Sequence, residues 1–66
     1  MNLTQATVGE EYIIKEVITD DEEMKAFLFY SGEPITVVSA KRSGYVVSIK
    51  DARYNIDREL ASAISI

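Results

Sequence analysis

Three observations in the sequence predict a small, mostly β domain. The chain has 66 residues, so one domain with a small core is expected over residues 1–66. Runs of β-branched and aromatic residues with period-two alternation recur along it. One helical stripe, at Met24, Phe27 and Leu28, lies between the first two runs. Together they predict an all-β fold, an SH3-like β-barrel of about five strands with one inserted α-helix and a short C-terminal helical turn.

The N-terminal elements are expected to be extended. Residues 1–9 should form an extended lead-in that ends in a turn, and residues 11–18 the first strand, because they are rich in β-branched and aromatic side chains. Strict alternation places Val17 on the face opposite Tyr12. A bulge near residues 15–16 would return Val17 to the core.

The helix is predicted over about residues 21–30. Thr19 or Asp20 can cap its first amide groups, and the acids that follow favour the positive end of the helix dipole. Gly32 is a suitable residue just past the helix, and Pro34 prevents its continuation.

The C-terminal half is expected to be a meander of strands, a helical turn and a last strand. Val47 and Ile49 should face the core, and Leu60 and Ile64 should close it. In chain order the predicted elements are a strand from residue 34 to 40, a hairpin turn at 41–44, a strand at 45–50, a tight turn at Asp51–Ala52, a strand at 53–56, a helical turn at 58–61 capped by Asp57, and a strand at 63–66.

Composition limits the function classes. Seven basic and eleven acidic residues give a net charge of −4, which does not favour nucleic acid or an anionic membrane as partner. Histidine and cysteine are absent, so disulfides, thiolate chemistry and the commonest metal ligand are excluded. We therefore expect no enzyme, catalytic residue, cofactor or metal site. The N-terminus has no signal-peptide pattern and no stretch could insert into a membrane, so a cytoplasmic location is expected.

Residues spread along the whole chain follow one family pattern. The opening has Leu, a small residue and Gly at intervals of three, an aromatic strand follows, and the end carries a charged helical turn before Ile-x-Ile. The matching positions are Leu3, Ala6 and Gly9; Tyr12, Ile14 and Val17; Gly32, Ile35 and Val37; Ile56, Asp57, Arg58, Glu59, Ala61, Ile64 and Ile66. In this order and spacing the chain resembles the ferrous iron transport protein A family (FeoA).

The resemblance implies a small cytosolic accessory protein without enzymatic activity. Its partner would be the cytosolic part of the FeoB-type membrane ferrous iron transporter, which carries a guanine-nucleotide-binding domain, and its effect would be to modulate iron uptake. The resemblance extends to the SH3-like C-terminal domains of iron-dependent repressors. A ligand- or metal-sensing regulatory domain is therefore the alternative function.

One segment departs from the family pattern. Family members usually end the helix with a Leu-Gly pair several residues before a second glycine, whereas here Leu28 runs directly on to Gly32. The connection is about four residues short against that pattern. Short strained connections favour exchange of elements between chains. We therefore predict a possible homo-oligomer that swaps elements through the shortened segment 28–34.

Four acids in a row, Asp20 to Glu23, could in principle hold Mg²⁺ or Fe²⁺ through oxygen ligands. Consecutive helical residues point in different directions, however, so a helix N-terminus rich in acids explains them better. The remaining acids show no spacing that singles out a catalytic pair, and surface solvation accounts for them. They are Glu10, Glu11, Asp51, Asp57 and Glu59.

The aromatic residues are the candidate protein-interaction positions, since exposed Tyr and Phe often anchor interfaces. The candidates are Phe29, Tyr30, Tyr45 and Tyr54. Alternatively, they cap the mouths of the barrel. Phe29→Ala or Tyr30→Ala is predicted to weaken association more than folding. Lys41 and Arg42 with Tyr45 could contact single-stranded nucleic acid, but two charges in an acidic domain support this poorly.

Overall fold

The computed structural model describes residues 1–18 and 32–66. The predicted helix at 21–30 lies outside these residues. The described elements are, in chain order, a 3₁₀-helix Leu3–Gln5, β1 Glu11–Ile13, β2 Glu16–Val17, β3 Pro34–Lys41, β4 Gly44–Ile49, β5 Ala52–Ile56, the helix α1 Arg58–Ala63 and β6 Ile64–Ser65. The predicted fold class, a small mostly β domain of the SH3-like type, is confirmed.

The strands form two antiparallel sheets around one core. A four-stranded sheet has the order β1-β3-β4-β5, and a two-stranded sheet pairs β2 with β6. Within residues 1–18 and 32–66, no continuous hydrogen-bond ladder closes these strands into a complete barrel. The sheets are joined through the backbone between β1 and β2.

This junction explains the irregular alternation of the first strand. The Ile14 amide donates to the Glu33 carbonyl oxygen at 3.0 Å, beside the first sheet, whereas the Lys15 amide donates to Ser65 at 2.7 Å, in the second. The chain therefore changes sheet between two consecutive residues. Val17 packs against the core after the change. The break expected near residues 15–16 is thus present one residue earlier, as a change of partner strand.

Among residues 1–18 and 32–66, twelve buried side chains from the two sheets and the two described helices form the core. Leu3, Ile35, Val47, Ala61 and Ile64 have no exposed surface at all. The rest of the core consists of Ile14, Val37, Tyr45, Ile49, Ile56, Leu60 and Ile66. The inward positions predicted for β4 and for the C-terminal end are confirmed.

Two hairpin turns order the large sheet. Arg42 and Ser43 connect β3 to β4, as predicted for 41–44. The next turn consists of Lys50 and Asp51, which both adopt positive φ, +51° and +65°. Two consecutive residues with positive φ form a type I′ turn. Its twist matches the right-handed twist of the two strands that it connects. The prediction of Asp51–Ala52 was therefore wrong by one residue, and Ala52 opens β5.

The lead-in is helical where an extended chain was predicted. Asn2 Oδ1 accepts a hydrogen bond from the backbone amide of Thr4 at 3.0 Å. The backbone amide of Asn2 in turn donates to Gln5 Oε1 at 2.9 Å. This reciprocal capping box stabilises one turn of 3₁₀-helix. The turn inserts Leu3 into the core next to α1.

The C-terminal helix begins as the sequence predicts. Asp57 Oδ1 accepts from the Leu60 amide at 2.7 Å, which satisfies one of the free amides of the first turn. The helix continues to Ala63, two residues beyond the predicted turn. It thereby delivers Ile64 into β6 and the core.

Candidate interaction surface

The two predicted aromatic positions that the structure describes, Tyr45 and Tyr54, have different environments. Tyr45 is only 7% exposed and belongs to the core, so its ring offers little surface to a partner. Tyr54 is half-buried and packs against the core. Phe29 and Tyr30 lie outside the described residues. None of these observations tests partner binding, so the interaction role stays a prediction.

The burial of Tyr45 follows from its position in β4. Tyr45, Val47 and Ile49 alternate along one strand and all face inward. The same alternation in the sequence already places Tyr45 with the two inward residues. Its burial also removes the aromatic half of the basic-aromatic arrangement considered at the β3–β4 turn. Lys41 and Arg42 are exposed there, but the neighbouring ring is not available for base stacking.

Tyr12 is held by its own segment. Its hydroxyl accepts from the Thr7 amide at 2.9 Å and donates to Glu10 Oε2 at 3.3 Å. The ring packs on the core from β1. The interactions of Tyr12 therefore stabilise the turn that leads into β1.

A groove lined by both apolar and polar side chains lies along the two-stranded sheet. Ile18 is 67% exposed, and its amide donates to the Ala63 carbonyl oxygen at 2.7 Å, which holds it beside α1. Met1 is 58% exposed and is fixed on the other side, where its carbonyl oxygen accepts from Ile66 at 2.9 Å. We call this feature the Met1–Ile18 groove. It is lined by Met1, Asn2, Gln5, Ile18, Ser62, Ala63 and Ser65.

Sequence reasoning missed this groove because its two apolar walls are far apart in the chain. The sequence pattern places Ile18 at the end of a strand and Met1 in an extended lead-in. The position of Ile18, one residue beyond half-buried Val17, gives a weak signal of exposure through alternation. The pairing of β2 with β6 brings both walls together, and nothing local in the sequence indicates that pairing.

The acidic residues show no metal-binding geometry in the part of the chain that the structure describes. No group of three Asp or Glu side chains converges there. Asp57 uses a carboxylate oxygen to cap α1, which is a structural role. The run Asp20 to Glu23 lies outside the described residues.

Comparison with known proteins identifies the family. The family model described as the FeoA domain matches residues 1–66. The chain belongs to the FeoA family. This family is associated with ferrous iron transport, as the sequence resemblance indicated.

A solved structure supports the fold of this FeoA-family chain. The chain is similar to a protein described as iron uptake regulatory protein (FeoA), with a TM-score of 0.80 and 19% sequence identity. The match covers 96% of this chain and 88% of the other. At that identity the likeness establishes the shared fold. A search of curated proteins found no match. Within residues 1–18 and 32–66, no helix is long and apolar enough to cross a membrane.

Proposed function

We propose that this FeoA-family chain is a small cytoplasmic accessory protein of ferrous iron transport. It binds the cytosolic part of a FeoB-type transporter and modulates iron uptake, without chemistry of its own. Family membership over residues 1–66 supports the transport context. The structural observation that carries the binding role is the Met1–Ile18 groove, where two large apolar side chains are more than half exposed.

The groove has the chemistry of a protein contact. Exposed Ile18 and Met1 provide apolar area, and Asn2, Gln5 and Ser62 add polar groups to the lining. Protein interfaces typically combine apolar area with hydrogen-bonding groups in this way. Burying an isoleucine side chain stabilises a complex by roughly 1.5–3 kcal/mol before the costs of association.

Modulation requires that the chain bind one state of the transporter more tightly than another. A binding partner shifts a conformational equilibrium only by its difference in affinity for the two states. The similar solved structure is described as an iron uptake regulatory protein, which agrees with a modulating role. Phe29, Tyr30 and Tyr54 remain proposed partner contacts, on the strength of their residue types. Tyr45 belongs to the core and is therefore the weakest of the four candidate contacts.

Calorimetric titration of the purified cytosolic domain of the transporter into this chain tests the proposal. Ile18→Ser should weaken binding by about tenfold, because it removes one of the two large apolar side chains of the groove. Val8→Ser is the matched control. Val8 is 50% exposed but lies outside the groove, so this change should leave binding unaffected.

The same samples test modulation. The rate of nucleotide hydrolysis by the transporter's cytosolic domain is measured with saturating wild-type chain and with Ile18→Ser at the same concentration. A change in rate with the wild type and a smaller change with the variant support the proposal. Absence of binding by the wild-type chain, or equal binding by Ile18→Ser, would overturn it.

A further inference from the structure

The charges of this chain are unevenly divided along the sequence. Residues 1–33 carry eight acidic and two basic side chains, a net charge of −6. Residues 34–66 carry three acidic and five basic side chains, a net charge of +2. The outer strands of the large sheet are β1, from the acidic half of the sequence, and β5, from the basic half. The two edges of the sheet therefore carry side chains of opposite charge.

One row of side chains crosses the whole sheet from an acid to a base. Glu11 in β1 is opposite Thr36, and Thr36 is opposite Ser48. Ser48 is in turn opposite Arg53 in β5. Residues that are opposite each other on paired strands point to the same face. Glu11 and Arg53 are both exposed, so an acid and a base lie on the same face at opposite edges, roughly 14 Å apart over three strand spacings.

The backbone of β5 directs hydrogen-bonding groups at Arg53 towards the outer edge of the sheet. The two-residue turn at Lys50–Asp51 makes Ile49 and Ala52 the closing pair, which exchanges hydrogen bonds. Hydrogen-bonded and non-hydrogen-bonded pairs alternate along an antiparallel ladder. Arg53 and Asn55 are therefore non-hydrogen-bonded towards β4, and their amide and carbonyl groups face the outer edge.

The backbone of β1 does the same at Glu11. The Ile14 amide donates to the Glu33 carbonyl oxygen at 3.0 Å, so alternation makes Ile13 opposite Pro34 a non-hydrogen-bonded pair. This position suits a proline, which has no amide hydrogen to donate. Glu11, two residues from Ile13, has the same outward direction. Both edges thus present backbone groups in the residues that carry the complementary charges.

Neither charge is satisfied within the part of the chain that the structure describes. The ion pair found there joins Lys50 Nζ to Glu33 Oε1 at 3.3 Å. Glu11 and Arg53 form no ion pair with any described residue. An opposite charge on a second molecule would therefore find both side chains accessible.

We propose that β1 of one molecule adds to β5 of a second molecule, with Glu11 opposite Arg53. The two strands run in opposite directions in the sheet, since each of the three neighbouring pairs is antiparallel. A second copy displaced sideways thus presents β1 antiparallel to β5. The outward backbone groups of Glu11 and Arg53 can exchange hydrogen bonds, and their side chains meet on one face.

The charges select this pairing over the two symmetric ones. Charged edge strands normally keep copies apart. Joining β5 to β5 places two Arg53 side chains on the same face of adjacent strands, where their like charges repel. Joining β1 to β1 brings two Glu11 side chains together in the same way. Only the mixed junction brings opposite charges together. Such a head-to-tail junction leaves one edge of each kind open, so association continues with rising concentration.

This inference is independent of transporter binding. It uses the edges of the four-stranded sheet, whereas the Met1–Ile18 groove lies on the two-stranded sheet. It also differs from a swap through segment 28–34, which would give closed oligomers indifferent to a charge at Glu11.

Sedimentation of the purified chain over a concentration series from micromolar to millimolar tests the junction by charge exchange. Glu11→Arg and Arg53→Glu should each lower the association constant about tenfold or more, because each places like charges opposite each other. An equimolar mixture of the two variants should associate as the wild type does. The double variant, with both charges reversed, should do so as well.

Two control variants and one edge variant complete the test. Glu16→Arg and Arg42→Glu make the same charge changes at exposed sites away from β1 and β5, and association should change less than twofold. Asn55→Pro removes an outward amide of β5 without removing a ladder bond to β4, and should weaken association at both low and high salt. Circular dichroism verifies that each variant is folded.

The outcomes separate the models. Weaker association of the single variants, with recovery in the mixture, supports the β1–β5 junction. A wild-type chain that stays monomeric at millimolar concentration overturns it. So does a closed oligomer that Glu11→Arg and Arg53→Glu leave unchanged, which would instead indicate a swap or another interface.

Discussion

Gly44 and Ile56 are in backbone contact where β4 begins beside the end of β5. A Cβ atom built on Gly44 would collide with the carbonyl oxygen of Ile56 and lie 3.4 Å from the Cα of Asp57. Gly44 also has φ +149°, a conformation that residues with side chains rarely adopt. Two independent constraints therefore require glycine at this point of the β3–β4 hairpin.

Gly44→Ala is expected to lower the free energy of unfolding by about 2–4 kcal/mol, from the collision and the backbone strain together. Gly9→Ala is the matched control, because Gly9 has φ +90° but a Cβ atom added there would meet nothing within 4 Å. It should lose only about 1–2 kcal/mol, from strain alone. Urea unfolding followed by circular dichroism gives both values. Equal losses would contradict the close contact with Ile56.

The N-cap of α1 gives a second prediction. Asp57→Ala removes the acceptor of the 2.7 Å bond from the Leu60 amide and should cost about 1 kcal/mol of unfolding free energy. Asp57→Asn retains a side-chain oxygen and should cost much less. The measurement is the urea midpoint of each variant at constant slope. If both variants lose the same amount, the stabilisation comes from the negative charge and not from the cap.

The Lys50–Asp51 turn can be improved. Asp51 has φ +65°, which strains any residue with a Cβ atom, and glycine adopts this conformation freely. Asp51→Gly should therefore stabilise the chain by about 0.5–1 kcal/mol, while Asp51→Ala should destabilise it. Thermal unfolding ranks the three proteins. A lower midpoint for Asp51→Gly than for the wild type would show that the aspartate side chain makes a stabilising contact there.

Two tyrosines should separate folding from binding. Tyr45 is buried in the core, so Tyr45→Ala should cost about 3–5 kcal/mol, close to the total stability of a domain this small. Tyr54 is half-buried, so Tyr54→Ala should remain folded and report on partner binding. Calorimetry with the transporter domain and circular dichroism on the same samples distinguish the effects. A Tyr45→Ala chain that folds normally would contradict the position of this ring in the core.

The period-two patterns predicted the inward faces correctly. Val47 and Ile49 face the core because neighbouring side chains of a strand point to opposite sides, a property that the local sequence alone carries. The cap at Asp57 could likewise be predicted, since its acceptor and the Leu60 amide are only three residues apart. The capping box of Asn2 and Gln5 has the same local character, and the spacing in the sequence indicates it in retrospect.

The tertiary structure decided everything that depends on which strands are neighbours. No local pattern indicates that the Lys15 amide donates to Ser65 while the Ile14 amide donates to Glu33, because the choice rests on burying Val17 and Ile64 in one core. The same holds for the Met1–Ile18 groove. It also holds for the opposite charges of Glu11 and Arg53, which become the two edges of one sheet only through the strand order.

The sequence by itself determined the family, the alternation of the strands and the local caps, because these depend on residue type and on spacings of a few positions. The tertiary structure decided the partner of each strand and hence which side chains share a surface. The physical reason is that the burial of the whole core selects which strands pair. The free energy of this burial is a sum over residues that are distant from one another in the chain.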